Sequence, residues 1–147
     1  MRASKQLELV QRVTDDEERR RAEGLATRER RVAECEAKLA ELQRYHTGYQ
    51  REFSKHAGGG MSGARLREFQ AFLSRLGEAL RQQVEIVDRA KVERDAELAG
   101  WRQAAQRADM VDHVVKRRKD EERRAVEHEE QRESDERSLR KYPRHEQ

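Results

Sequence analysis

Apolar residues recur at intervals of three and four along most of this 147-residue chain. A first run extends from residue 25 to residue 53, at Leu25, Val32, Cys35, Leu39, Leu42, Tyr49 and Phe53. A second run extends from residue 66 to residue 115, at Leu66, Phe69, Leu73, Leu76, Leu80, Val87, Ala90, Trp101, Ala104, Ala108, Val111 and Val115. This spacing predicts two long helices, each with the apolar seam of a coiled coil. Polar residues interrupt the second seam at Gln83 and again at Arg94 and Glu97.

Between the two runs lies Ala57-Gly-Gly-Gly-Met-Ser-Gly63. Three consecutive glycines are unfavourable in a helix, and each adopts positive φ without a steric clash. We therefore predict a first helix over about 4–56, a turn over 57–63 and a second helix over about 64–141. Folding back at this turn pairs residues whose numbers sum to roughly 120, so Val32 lies opposite Val87.

The predicted fold is all-α: a long antiparallel two-helix coiled coil that forms one domain over residues 1–147. The second helix is longer than the first. Because both helices rise by 1.5 Å per residue, the C-terminal part of the second helix extends past the N-terminus by about 25 residues. Aromatic residues and leucines are most frequent beside the turn. We therefore expect the tightest packing there, and an open end that is frayed or depends on a partner.

Composition supports long helices over a globular core. Charged residues make up 43% of the chain and hydrophobic residues 34%, with a mean hydropathy of -1.26, whereas compact domains carry about 25% charged residues. The net charge is only +3, because acids and bases alternate in short blocks, which argues against nucleic-acid binding. No apolar run is long enough for a membrane span, and the N-terminus lacks the apolar region of a signal peptide. We expect a cytosolic protein.

No residue pattern indicates catalysis, a metal site or a cofactor. The glycines at 58–63 lack the Gly-Lys-Ser/Thr of a phosphate-binding loop. His46 and His56 have no carboxylate or cysteine at ligand spacing, and Cys35, the single cysteine, is expected to be a small core residue. Trp101 is interpreted as a core residue facing small side chains, with a partner contact as the alternative.

Two surface features are candidates for binding. Phe72 and Ala79 widen the apolar stripe of the second helix beyond what one neighbouring helix covers, and such a patch marks a docking site. The alternative places Phe72 over the first helix near Arg44. The basic run 116–119 is followed at once by acids, which favours a solvated helix face; otherwise it fits an acidic protein surface.

The order of these motifs resembles the FliJ family of flagellar export proteins. The motifs are Lys38-Leu-x-x-Leu-x-x-Tyr45-x-x-x-Tyr49, the glycine turn, and Phe69-Gln-x-Phe72-Leu-x-x-Leu76-x-x-Ala79-x-x-x-Gln83. Trp101 and the acidic stretch 129–136 fit as well. The resemblance spans nearly the whole chain. Each motif alone is degenerate coiled-coil sequence, so the specificity comes from their order and spacing.

The resemblance implies a non-enzymatic part of the flagellar type III export apparatus, located in the cytoplasm beside the cell membrane without insertion into it. FliJ-like proteins act as a central stalk in the hexameric ring of the export ATPase FliI, contact the membrane export gate FlhA and escort export chaperones. The gate contact maps to Phe72, Leu76, Ala79 and Gln83, with Gln83 replacing a histidine of some relatives. We expect the ATPase contact on the charged arms, at Arg19, Arg20, Arg21, Lys116, Arg117, Arg118 and Lys119.

Three alternatives stay open at this point. The first is the equivalent stalk of a virulence type III secretion system, which has a similar fold and charge. The second is a structural coiled coil that forms a homodimer through the same seam. Nucleic-acid binding through the basic runs is the third, and the interleaved acids disfavour it.

Overall fold

The computed structural model describes residues 2–141, which form two helices, α1 (Arg2–Ala57) and α2 (Gly63–Lys141). The helices pack against each other in opposite directions, and the described residues contain no strand. The predicted all-α helical hairpin is therefore confirmed. The helix ends lie within two residues of the predicted ends.

The turn that reverses the chain is held by few contacts besides hydrogen bonds of its own residues. Gly60 has a φ of +89°, a conformation that side-chain-bearing residues rarely adopt and that glycine adopts freely. The amide of Gly59 donates to the carbonyl of His56 over 3.0 Å, and the amide of Arg65 donates to Ser62 Oγ over 3.3 Å. Ser62 therefore caps the first turn of α2, whose amides have no helical partner.

The chain forms two compact units. One comprises Arg21–Trp101 and contains the turn; the other is made of the residues up to Arg20 together with those from Arg102 onward. Both helices contribute to each unit. A single domain over 1–147 stays a prediction.

The buried layer of the Arg21–Trp101 unit is built from small side chains. Val32, Cys35, Val87 and Ala90 are 3% to 5% exposed and form one cluster, against which Leu39 and Ile86 pack. This confirms that Val32 faces Val87 and that Cys35 is a core residue. Small residues on both helices permit this burial because the two backbones can approach closely.

One polar side chain is part of the same layer. Gln83 is 4% exposed, and its amide Nε2 donates to the backbone carbonyl of Cys35 over 3.0 Å. A buried amide without a partner costs about 1–3 kcal/mol, so this hydrogen bond is what makes a glutamine tolerable in the seam.

The prediction that packing is tightest beside the turn is wrong. The large residues there are half-buried or exposed, including Tyr45 (52%), Tyr49 (37%) and Phe72 (39%), whereas the buried residues of this unit lie at 32–35 and 83–90. Two helices offer only one seam. Rings as large as these extend beyond it, so they remain open to water on their outer side, and Tyr49 and Phe72 contact each other.

The second unit is held by a thin core and by polar contacts. Ala104 and Val115 are 2% exposed. Gln11 Nε2 donates to Asp112 Oδ1 over 2.8 Å, and ion pairs join Arg107 to Glu17 (3.5 Å) and Lys119 to Glu8 (3.1 Å). The residue numbers of these pairs sum to about 123–127, slightly more than the predicted value.

The end of α2 has no buried face. Every residue from Arg123 to Lys141 is exposed. Pairs one helical turn apart, such as Arg123 with Glu127 (3.8 Å) and Arg137 with Glu133 (3.6 Å), support this segment. Exposed pairs of this kind contribute about 0.3–0.5 kcal/mol each. Among residues 2–141, no helix combines the length and hydropathy needed to cross a membrane.

Candidate functional site

Three exposed aromatic side chains near the turn form what we call the tip aromatic surface: Tyr45, Tyr49 and Phe72. The Tyr49 and Phe72 rings meet edge to face with their centroids 5.0 Å apart, and Tyr49 also lies 6.3 Å from Phe69. Aromatic pairs in this geometry contribute about 0.5–1.5 kcal/mol beyond the area they bury. The surface therefore joins α1 to α2.

The position of Phe72 follows from the heptad. It immediately precedes the seam residue Leu73, so it flanks the seam instead of entering it. Its ring contacts α1 through Tyr49 and stays 39% exposed. Phe72 therefore packs on the first helix through Tyr49 and still presents apolar surface to the solvent. Its role as a docking site stays a prediction.

The other predicted gate residues differ in accessibility. Leu76 and Ala79 are half-buried, and both follow Phe72 along α2 at intervals that keep them near the same edge of the seam. Gln83 belongs to the buried layer, where its amide is already bonded to Cys35. It has no surface to offer a partner while the two helices are paired, so we leave it out of the candidate surface.

The predicted ATPase-contacting residues fall into two separate basic runs. Arg19 and Arg20 are exposed on α1, and all of residues 116–119 are exposed on α2. Lys119 pairs with Glu8, which lies eleven residues, or about 16 Å of helix, from Arg19. The structure does not bring the two runs into one basic patch. Arg21, in the other unit, is exposed and places its guanidinium beside Gly100.

Acidic neighbours pair with several of these bases. Arg19 lies 3.5 Å from Asp16, and Lys116 Nζ lies 3.0 Å from Asp112 Oδ2. The hydrogen bond from Lys116 holds the pKa of the Asp112 carboxyl below its usual range, and the same bond raises the pKa of Lys116. These surfaces are therefore mosaics of both charges, which suits recognition by pattern more than by net charge.

The sequence patterns missed a groove on α1 beside the tip aromatic surface. Arg44, Tyr45, Gly48, Tyr49 and Glu52 line it. A side chain at Gly48 would meet nothing within 4 Å, so the glycine leaves an open notch in this groove. A glycine inside a helix between two aromatic residues was the signal that could have identified it.

The histidines and Trp101 are the remaining candidates for a functional role. Within residues 2–141, no three His, Cys, Asp or Glu side chains are grouped as metal ligands would be. His46 is half-buried on the seam, and Trp101 is half-buried near the end of its unit. These positions suit packing between the helices.

A comparison with protein families matches residues 4–147 to the model described as "Flagellar FliJ protein". A search of curated proteins finds no match. No solved structure matches either. The family match covers nearly the whole chain, including both runs of seam residues and the turn.

Proposed function

Because the chain belongs to the FliJ family, a family of flagellar export components, we propose that it is the central stalk of the flagellar export ATPase. In this role it is not an enzyme. It promotes the ATPase hexamer through its charged arms and docks on the membrane export gate through the second helix beside the turn. The observation that carries the proposal is the contrast between an aromatic surface at 45–72 and a fully exposed charged helix at 123–141.

The charged C-terminal part of α2, from residue 116 onward, is the proposed ATPase contact. Residues 116–119 carry four basic side chains, and the following segment presents acids and bases on every face. Such a helix binds through rim-type charge contacts, which govern encounter and orientation more than affinity. A stalk that reorients inside its ring needs contacts of this kind.

Truncation of the chain after Val115 tests the ATPase contact. We expect full-length protein to raise the ATPase activity of the export ATPase and the truncated chain to lose this effect. The truncation retains every buried residue of the described range 2–141, of which Val115 is the last, so circular dichroism should show high helix content and cooperative unfolding in both. An ATPase rate unchanged by full-length protein would refute the stalk proposal.

A charge-reversal variant separates loss of charge from loss of length. Arg117 and Arg118 are exposed and belong to the predicted contact. We expect Arg117→Glu with Arg118→Glu to weaken stimulation at low salt, and the difference from wild type to shrink as salt screens the charges. Equal stimulation at all salt concentrations would place the contact elsewhere on the tail.

The gate contact is proposed at Phe72, Leu76 and Ala79. A partly exposed ring flanked by half-buried apolar residues is the composition expected at the centre of a docking patch. The double variant Phe72→Ala with Leu76→Ala should weaken binding to the soluble domain of the gate protein while helicity is retained. Val92→Ala, which alters an exposed apolar residue on the same helix (67%), is the matched control.

If helicity falls in parallel with gate binding, the patch serves the fold and this part of the proposal fails.

Chaperone escort and a peripheral location at the inner face of the cell membrane complete the proposed role. The family description supports the flagellar apparatus over a virulence system. A monomeric mass in light scattering at low concentration would exclude the structural homodimer.

A further inference from the structure

We propose that the gate-docking surface extends across both helices, and that the notch at Gly48 receives an apolar side chain from an acidic partner surface. This inference rests on the proposed gate contact and adds the α1 half of the site. The residues that carry it are Tyr45, Gly48 and Tyr49 on α1, with Phe72 on α2.

The two halves are physically continuous. Tyr49 lines the groove on α1 and also holds its ring 5.0 Å from the ring of Phe72. A partner that covers the exposed part of Phe72 therefore meets Tyr49, and beyond it the groove. Exposed aromatic residues next to a concave site are the anchors typical of protein interfaces.

The notch is open because nothing in the hairpin fills it. A Cβ at Gly48 would have no neighbour within 4 Å, and Tyr45 turns away, with its hydroxyl 3.4 Å from Glu41 Oε1. Glycine in a helix interior costs roughly 1 kcal/mol relative to alanine. The hairpin itself gains no contact at Gly48, whereas a partner side chain there would enter the groove that Tyr45 and Tyr49 line.

The charge distribution around the turn favours an acidic partner. Residues 38–81 contain eight Lys or Arg and four Asp or Glu, leaving 25 basic and 26 acidic residues for the rest of the chain. The positive excess of the protein is therefore located around the tip. Long-range attraction by such an excess raises the association rate of an acidic partner and falls with salt. The fitting occupant is a protruding aliphatic side chain among carboxylates.

Filling the notch tests the inference without disturbing the fold. Gly48→Gln places a long side chain into open space and should raise the melting temperature, because glutamine is the better helix former. Binding to the soluble domain of the gate protein should nevertheless weaken about tenfold, the size of effect typical at an interface anchor. Tyr45→Ala, which removes a side chain that is 52% exposed, should weaken binding similarly.

Gly77→Gln is the matched control. Gly77 lies inside α2, and its Cβ position is also empty within 4 Å. It immediately follows the seam residue Leu76, so it flanks the seam on the side opposite Phe72. We expect the same gain in melting temperature and unchanged gate binding. Equal loss of binding in Gly48→Gln and Gly77→Gln would overturn the proposal.

The outcomes distinguish this inference from the proposed function. If Phe72→Ala weakens binding while Gly48→Gln and Tyr45→Ala do not, the α1 half is refuted and the gate contact on α2 stands. If none of the three weakens binding, both fail. Binding of wild type to anionic lipid vesicles with the same sensitivity to Gly48→Gln would also overturn the proposal, since the notch would then serve a membrane surface.

Discussion

The buried layer around Val87 and the tip aromatic surface lie in the same unit, yet they use side chains in opposite ways. The buried layer is made of valine, alanine and cysteine, all 5% exposed or less. The tip has larger residues, and its three surface rings are 37% to 52% exposed. In a pair of helices, side-chain size therefore does not predict burial. Small residues allow close backbone approach, and large ones create surface.

This difference in exposure indicates that the buried layer stabilises the fold and that the tip aromatic surface is available for binding. Residues in the buried layer hold the helices together and offer nothing to a partner. The rings at the tip contribute less to folding for their size, and they leave apolar area available. If burial determines stability, the free-energy cost of a substitution follows the order of burial.

The largest effect on stability should come from Val87→Ala. Removing two methyl groups from a buried layer forfeits transfer free energy and leaves a cavity, which together cost about 2 kcal/mol. Denaturant unfolding followed by circular dichroism measures this loss. Val92→Ala removes the same atoms from a residue that is 67% exposed and should change stability by less than about 0.5 kcal/mol. Equal costs would contradict the assigned layer.

Phe72→Ala should cost less than Val87→Ala, although it removes more atoms. The ring is 39% exposed and contacts Tyr49 edge to face. Because water can occupy the space of a ring that is open on its outer side, no cavity forms, and we expect a loss of about 1 kcal/mol, well below that of a buried phenylalanine. The same denaturant experiment measures it. A loss equal to that of Val87→Ala would mean that the ring is buried in solution, and the separation between stability and binding would not hold.

Sequence reasoning predicted the hairpin well because its signals are local and periodic. The heptad from Leu25 to Phe53 and the glycines at 58–60 determine helix length, direction and register without knowledge of the rest of the chain. The pairing of Val32 with Val87 follows from the turn position alone. These features need no information about the volume between the helices.

The degree of burial could not be predicted in the same way. Counting apolar residues placed the tightest packing beside Phe53 and Phe69, but the distance between two helices depends on the size of both facing side chains. Family analogy places Gln83 in the gate contact on the surface, whereas its seam position indicates burial. The notch at Gly48 required three-dimensional knowledge of where Tyr45 points.

The smallest expected effect on stability comes from Gln83→Leu, and it concerns register. Leucine conserves volume, and losing the hydrogen bond to Cys35 is offset by removing a buried amide, so the melting temperature should change little or rise. A buried polar residue is satisfied only in the register that supplies its partner. We therefore expect the Gln83→Leu variant to form dimers at high concentration. Light scattering would detect them as an increased molecular mass. Gln82→Leu, at the neighbouring exposed position, should remain monomeric. If Gln83→Leu also stays monomeric, the turn and the apolar layer determine the pairing without help from the glutamine.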